Sequence, residues 1–450
     1  MAPAPTVPDA PGALPLMGHA PRLRDPLGFL TRTGLVRHEG LARLRVGPFS
    51  ALLVCDPDLT HRMLVEDRTF DKGGPHYDRA REWLGNGLVS CPHGVHRRQR
   101  RAVQPAFHAD RMPAYARAMA EQISSITDRW HEGQVLDVLP QLKAITARAA
   151  IATMFADMPR NVSVPALIHE FDLLVAGVYR RMWMPAPLDR LPVLGNGRYY
   201  QARDRVRRTI GRIIDTYRTR GTDNGDLLSL LLASGSAEGG RAVPDEEVID
   251  QVMTFFVGGT EPPAVALSWA LHLLTQHPKV EERLHAEVDS VLTDAGTGAS
   301  FADLPRLRFT EQVITEALRL YPPLWMVTRT TTTDTELGGH HVKQGTVLVY
   351  SPYLIHHRPG LYPDPELFDP DRWGDDSPTK PRKEAFIPFG AGARKCIGDT
   401  FGIAEATLAL ATIARSWRLE PVPGRNVRPS ALSVLSPGGL TLKVRSRKLR

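Results

Sequence analysis

The chain has 450 residues, 42% of them hydrophobic and 23% charged, with 56 Lys plus Arg against 49 Asp plus Glu for a net charge of +7. This is an ordinary globular composition: it excludes disorder, collagen-like repeats and coiled coil for the whole chain, and so small a charge excess gives no support to nucleic-acid binding. Three cysteines (Cys55, Cys91 and Cys396) and the lack of an apolar run of about 18 residues exclude a disulfide framework and a membrane span, so a cytoplasmic protein is expected.

Residues 1–25 are rich in Pro and Ala and lack the basic flank and apolar run of a signal peptide. Residues 35–58 alternate apolar and polar, which predicts a hairpin with turns at Gly47-Pro48 and Asp56-Pro57. From about 94 to 290 the spacing is mainly helical. Residues 181–198, rich in Pro and Gly, predict a long loop carrying Met182, Trp183 and Met184. Such a loop is either packed on the core or a lid over an apolar pocket. Ser234–Gly240 predicts a surface loop. Pro244 then suits a first helical residue, with Asp245, Glu246 and Glu247 at the positive end of the dipole. Apolar spacing runs from Val248 through Phe255 and Phe256 to Gly259 and resumes after Pro262-Pro263. Further helices follow Pro278 and cover roughly 310–320. Residues 326–350 switch to β-branched alternation, with turns at Gly338-Gly339 and Gln344-Gly345. Residues 356–395 carry little periodic signal, and so long an irregular stretch is uncommon unless functional. A last helix over about 398–417 and a short β tail complete a mainly α chain with a small β part. Length alone suggests about three domains.

The densest chemical signal is FGAGARKCIG, Phe389 to Gly398. Its glycines permit a tight turn and close approach to a flat ligand. Cys396 stands just before a helix N-terminus, where the dipole and free N–H groups favour a thiolate. With no CxxC partner, zinc and iron–sulfur sites fit poorly, whereas one thiolate suits an axial ligand of haem. Arg394 is placed to pair with a propionate.

This segment resembles the haem-binding loop of the cytochrome P450 family. The resemblance implies one α-rich haem domain over residues 1–450 with no fused reductase, and heme b ligated by Cys396 within a loop formed by Phe389, Gly390 and Gly398. Glu316 and Arg319, in EALR, resemble the family's Glu-x-x-Arg pair, and Arg372 in FDPDRW its third ionic partner. The implied role of this network is to pin the irregular stretch before Cys396. HRRQRR, His96 to Arg101, reads by itself as a solvated basic face. By resemblance His96 and Arg100 meet haem propionates, as does Arg329, and the remaining arginines are left to dock an acidic electron donor.

FFVGGTEPPA, Phe255 to Ala264, departs from the family pattern of small residue, Gly, any residue, acid, Thr. Gly258 and Gly259 leave room for O2, Glu261 is the acid, and Pro262 stands where threonine is usual. That threonine helps carry protons to the oxygen. Here the helix is expected to open or kink, freeing carbonyls near 258 and 259. The proton task passes to water, Glu261, Thr260 or a substrate hydroxyl.

The implied activity is a monooxygenase that places one oxygen atom of O2 in a lipophilic small molecule. The electrons come from NAD(P)H through a separate ferredoxin reductase and ferredoxin. Met182, Phe256, Trp325, Met326 and Val327 are the expected pocket residues. The tract from Leu320 to His357 is similar to bacterial terpene oxidases of secondary metabolism such as the pentalenene oxygenases, which points to a sesquiterpenoid. Fatty acid or polyketide oxidation is the alternative, as is a peroxide-driven or rearrangement enzyme, which Pro262 motivates. A non-catalytic haem sensor is the weakest alternative.

Overall fold

The computed structural model describes residues 6–36, 40–159, 162–182, 195–221, 225–237, 243–293 and 298–447. Helix α1 (Pro26–Val36) precedes an antiparallel hairpin of β1 (Leu41–Val46) and β2 (Phe49–Val54), closed at Val46↔Phe49 over Gly47-Pro48. Asp56-Pro57 starts a helix instead of turning a strand. Asp56 caps α2 (Pro57–Val65), its carboxylate accepting from the backbone N–H groups of Asp58 and Leu59 at 2.9 Å. With Pro57 needing no partner, the first turn is satisfied locally.

After β3 (Phe70–Asp71) come α3 (Pro75–Leu84), α4 (His93–Val103), α5 (Met112–Thr127), β4 (Val135–Asp137) and α6 (Val138–Met154). The run continues with α7 (Val164–Met182), α8 (Asn196–Arg220), α9 (Leu227–Ala237), α10 (Asp245–Gln276), α11 (Pro278–Val291) and α12 (Arg308–Leu320). Strands β5 (Val327–Thr331), β6 (Thr335–Leu337), β7 (His340–Val342) and β8 (Val347–Tyr350) follow, then α13 (Pro352–His356) and α14 (Asp399–Ser416). The tail forms β9 (Trp417–Pro421), β10 (Arg428–Ala431), β11 (Leu435–Gly438) and β12 (Thr441–Ser446).

Two expected loops are shorter than the sequence suggests. Helix α7 reaches Met182 and α8 begins at Asn196, because the helix-breaking prolines all lie between them. Trp183, Met184 and the side chain of Met182 lie outside the described residues. Ser234–Ala237 is the last turn of α9, since nothing in that Ser/Gly stretch blocks helical bonding; 238–240 again lie outside the described residues. Pro244 is the N-cap of α10, one position before the first helical residue.

Contacts divide the chain into two compact units. The first comprises Met1–Gly74, Glu311–Cys396 and Arg428–Gly438. Its sheet has the order β1-β2-β8-β5-β3, with β2 and β8 parallel at Leu52↔Leu348. Alternation along β2 gives each face its own core. Leu52 and Val54 pack with Met63, Leu64, Phe70, Leu348 and Tyr350, while Leu53 and Cys55 pack with Phe29, Leu30, Trp325 and Val349.

The second unit comprises Pro75–Thr310, Ile397–Val427 and Gly439–Arg450. It is helical, and its core follows 3.6-residue periodicity. On α8, Val206, Ile210, Ile213, Ile214 and Tyr217 face inward; on α10, Val248, Val252 and Phe256 do. Helix α6 lies along α10, and the Thr146 hydroxyl donates to the carbonyl of Thr260 at 2.8 Å. With 57% helix and 13% strand, the mainly α architecture read from the sequence is the observed one. No helix of the described residues is long and apolar enough to cross a membrane.

Candidate functional site

In the first unit the Phe389–Cys396 segment is a tight loop around a short turn, Gly392–Arg394. Gly392 has φ +66°, and a Cβ there would sit 2.4 Å from the carbonyl oxygen of Leu64. Only glycine fits so close to α2 in that conformation. Cys396 N–H donates to the carbonyl of Phe389 at 2.9 Å, closing the loop. Cys55 and Cys91 are buried, as small hydrophobes are, and Cys396 is exposed. The loop thus presents one thiol three residues ahead of α14.

Arg394 anchors this loop from inside. Its side chain is fully buried, with Nη2 2.5 Å from Asp71 Oδ1 and Nε 3.4 Å from Asp67 Oδ2. The sequence reading gave Arg394 a propionate. The structure gives it two carboxylates of its own chain, which lie more than 300 residues earlier and carry no sequence signal.

Arg329, on β5, is also buried, at 2% exposure, but its Nε and Nη1 have no hydrogen-bond partner among the described residues. Its guanidinium lies 5.9 Å from the Tyr350 ring centroid on β8. A buried cation left with unused donors is costly unless an anion is to meet them.

The pair Glu316 and Arg319 sits one turn apart on α12, both fully buried. Arg319 donates to Glu316 Oε2 (2.9 Å) and Oε1 (2.8 Å), and to the carbonyls of His356 (3.0 Å), Pro365 (2.7 Å) and Leu367 (3.0 Å). Glu316 also accepts from Asp369 N–H at 3.1 Å and from the Trp373 indole at 2.8 Å. Arg372 Nε lies 3.5 Å from Glu316 Oε1, and its Nη2 donates to the Pro363 carbonyl at 3.0 Å. His356 continues the network: Nδ1 meets the Arg319 carbonyl at 3.1 Å, and Nε2 accepts from Ile387 N–H at 3.0 Å. Burial holds His356 well below the ordinary histidine pKa, keeping Nε2 an acceptor. Six backbone positions from 356 to 387 are thereby fixed ahead of the cysteine loop. His356, in the run LIHH, was not singled out from the sequence.

In the second unit, α4 starts at His93, three residues before the basic run. His96 is buried, Arg100 half-buried one turn on, and Arg97 and Arg101 exposed. Arg98 makes a two-pronged pair with Glu247 at 2.9 Å. Gly398 leads into α14, with its Cβ position 3.6 Å from the Phe107 ring.

Helix α10 is one element from Asp245 to Gln276, with Pro262 and Pro263 inside it. Neither proline has an N–H, so the carbonyls of Gly258 and Gly259 lose their helical donors. The Thr260 hydroxyl donates to the Phe256 carbonyl at 2.6 Å. Glu261 is 8% exposed and forms an ion pair with Lys143 of α6. Asp172, on α7, is electrostatically coupled to both; burial foremost pushes its carboxyl above the usual range, and Lys143 pulls it down. Lys143 and Asp172 were invisible in the sequence, where Lys143 stands 118 residues from its partner.

Of the expected pocket residues, Phe256 stacks on Phe171 with centroids 3.7 Å apart, inside the helical core. Trp325 lies in the first unit's cluster, its indole N–H donating to the Leu432 carbonyl at 3.0 Å. Met326 is exposed at 37%, and Val327 is half-buried.

A family model for cytochrome P450 matches residues 8–444. The chain belongs to the cytochrome P450 family. It is 43% identical to pentalenene oxygenase of Streptomyces avermitilis over 440 residues, covering 97% of each chain. It is 44% identical over 417 residues to cyclooctat-9-en-7-ol 5-monooxygenase of Streptomyces melanosporofaciens, covering 92% of this chain and 90% of that one. The crystal structure of the cytochrome P450DA heme domain aligns with TM-score 0.88 at 25% identity, over 98% of both chains.

As a cytochrome P450 the protein is an oxidoreductase of the monooxygenase type, and the family implies a haem-thiolate iron, O2 and a lipophilic substrate. The residues present fit a haem on two counts. One thiol of three is exposed, on a loop whose shape depends on Gly392, and Arg329 holds buried donors suited to an anionic group.

Proposed function

We propose that Cys396 is the axial thiolate of a heme b and that the protein hydroxylates or otherwise oxidises a terpenoid, a sesquiterpenoid of bacterial secondary metabolism. The exposed Cys396 thiol, set by Gly392 and the Arg394 anchor, carries this reading. The relatives named for terpenoid oxidation support the substrate class. The single family match over 8–444 supports one catalytic domain.

When bound, the haem supplies activation of O2, which the electron-rich thiolate promotes. The chain does the rest. In the first unit Arg329 would hold a propionate; in the second, His96 and Arg100 are assigned the same task. The Glu316 network keeps the backbone before Cys396 from shifting. Glu261 serves proton supply beside Gly259 and Pro262, while the Thr260 hydroxyl is held on the Phe256 carbonyl, and apolar side chains including Met326 and Val327 orient the substrate. Electrons reach the protein from NAD(P)H through a ferredoxin reductase and ferredoxin, with the exposed Arg97 and Arg101 as docking charges. A cytoplasmic setting is part of this reading.

The deciding experiment is the absorption spectrum of the reduced protein with carbon monoxide. A strongly red-shifted Soret band, lost in Cys396→Ala, is expected. The same band in Cys396→Ala, or no haem in the wild type, overturns the assignment. Titration with sesquiterpenes and with a fatty acid then tests the substrate, the expected spin-state shift being confined to the terpenes. Product formed from H2O2 without ferredoxin would place the enzyme in the peroxide-driven class.

A further inference from the structure

We infer that Lys143 passes solvent protons to Glu261, replacing the threonine hydroxyl that Pro262 removes. The inference rests on the monooxygenase reading above and names the residues that perform its proton uptake.

Three observations within the second unit carry it. First, the local hydroxyl is already engaged: Thr260 donates to the Phe256 carbonyl at 2.6 Å. Second, the Lys143 side chain is 28% exposed and Glu261 only 10%, so Lys143 is the member of the pair that touches both solvent and the buried acid. Third, α6 is fixed against α10 at this level. Thr146, one turn from Lys143 on the same face, donates to the carbonyl of Thr260, the residue before Glu261. The pair is held in register at the two prolines.

The step balances without redox change. The Nζ–H proton of Lys143 moves to Oε1 of Glu261, leaving a neutral amine and a carboxylic acid. Glu261 gives that proton to a water that donates to the carbonyls of Gly258 and Gly259, whose usual helical donors the two prolines remove. The amine is reprotonated from the Asp172 carboxyl or from surface water, so one solvent proton moves inward per cycle. A monooxygenase turnover consumes two. Asp172 suits the outer position because it lies within the field of both Lys143 and Glu261, and burial raises its carboxyl above the usual carboxylate range. His169, also on α7, is the other titratable group acting on Asp172, besides Lys143 and Glu261.

The test separates charge from proton transfer. Lys143→Arg keeps the ion pair, but a guanidinium does not give up a proton in a protein. Lys143→Met removes both. In the haem-loaded enzyme with its electron donors, both variants are expected to lower product per NAD(P)H and turnover by roughly 10- to 100-fold. Both lose the solvent isotope effect and pH dependence of the wild type. Asp172→Asn is expected to lower turnover less, because water still reaches Lys143. A readout independent of turnover is the infrared carboxylate band assigned by Glu261→Gln: it moves in Lys143→Met and stays in Lys143→Arg. Wild-type turnover and pH profile in Lys143→Arg overturn the relay and leave Lys143 as a structural charge. An unmoved band in Lys143→Met overturns the pairing itself. The carbon monoxide spectrum of each variant separates these outcomes from failure of the monooxygenase reading, which would already show in the wild type.

Discussion

The α12 network and strand β5 both bury an arginine in the first unit, yet they treat its charge in opposite ways. Arg319 places its N–H groups on a carboxylate and three carbonyls of the chain. Arg329, equally buried, leaves two nitrogens without partners. Arg372 of the same network also keeps Nε and Nη1 without a hydrogen-bond partner, but the Glu316 carboxylate lies 3.5 Å away; Arg329 has neither hydrogen-bond partner for these atoms nor ion pair among the described residues, which suits it to a guest anion. The difference lies in neighbours: α12 faces the irregular 356–387 stretch with its bare carbonyls, while β5 is flanked by strands whose carbonyls serve the sheet.

The largest effect is expected from Arg319→Leu. Removing its closest cation leaves buried Glu316 with only Arg372 at 3.5 Å and two neutral donors, and frees three buried carbonyls, a loss of about 3–5 kcal/mol. Thermal unfolding with and without cofactor should show the loss equally; a loss confined to the cofactor-loaded protein would break the contrast.

Arg329→Leu is expected to act with the opposite sign in the cofactor-free chain. Deleting donors that find no partner relieves about 1–3 kcal/mol, while haem retention falls. Melting temperature without haem and haem content after gel filtration are the two measurements. A lower melting temperature without haem would show that Arg329 is structural after all.

Acid sharpens the comparison with a smaller, graded effect. His356 belongs to the Arg319 network, and burial holds it well below 6.5; burial also pulls His357 and His285 down to about 4. In the unfolded chain these groups bind protons below about 6.5, so the unfolded state binds more protons in that window. Stability is therefore complete above pH 6.5 and is lost as pH falls toward 4. Denaturant midpoints across this range should fall, with a slope reduced by up to one proton in His356→Gln. Arg329→Leu should leave the slope unchanged.

How much was legible follows from how local each signal is. The cysteine loop and the Glu-x-x-Arg pair announce themselves within ten residues, and the strand block through its own alternation, because tight turns and one-turn pairs dictate residue types nearby. The order of helices was legible for the same reason. What stayed hidden is pairing across the chain. Nothing near Arg394 signals Asp67 or Asp71, so a carboxylate that the chain provides and one that a cofactor brings look alike in sequence. Nothing near Glu261 signals Lys143. The start of α8, at Asn196 between two glycines, and the end of α9, in SGSA, are hard to place from sequence because glycine and serine merely weaken helical bonding, whereas proline ends it.

The parallel pairing of β2 with β8 also has a consequence in time. About 300 residues separate Leu52 from Leu348, and at ribosomal speeds that is roughly 15 to 60 s of synthesis. For most of that interval the β1–β2 hairpin, Asp67 and Asp71 have been made without the strand and the arginine that complete them. The first unit therefore closes late, and the cysteine loop takes shape only after residues 75–310 of the second unit have been made.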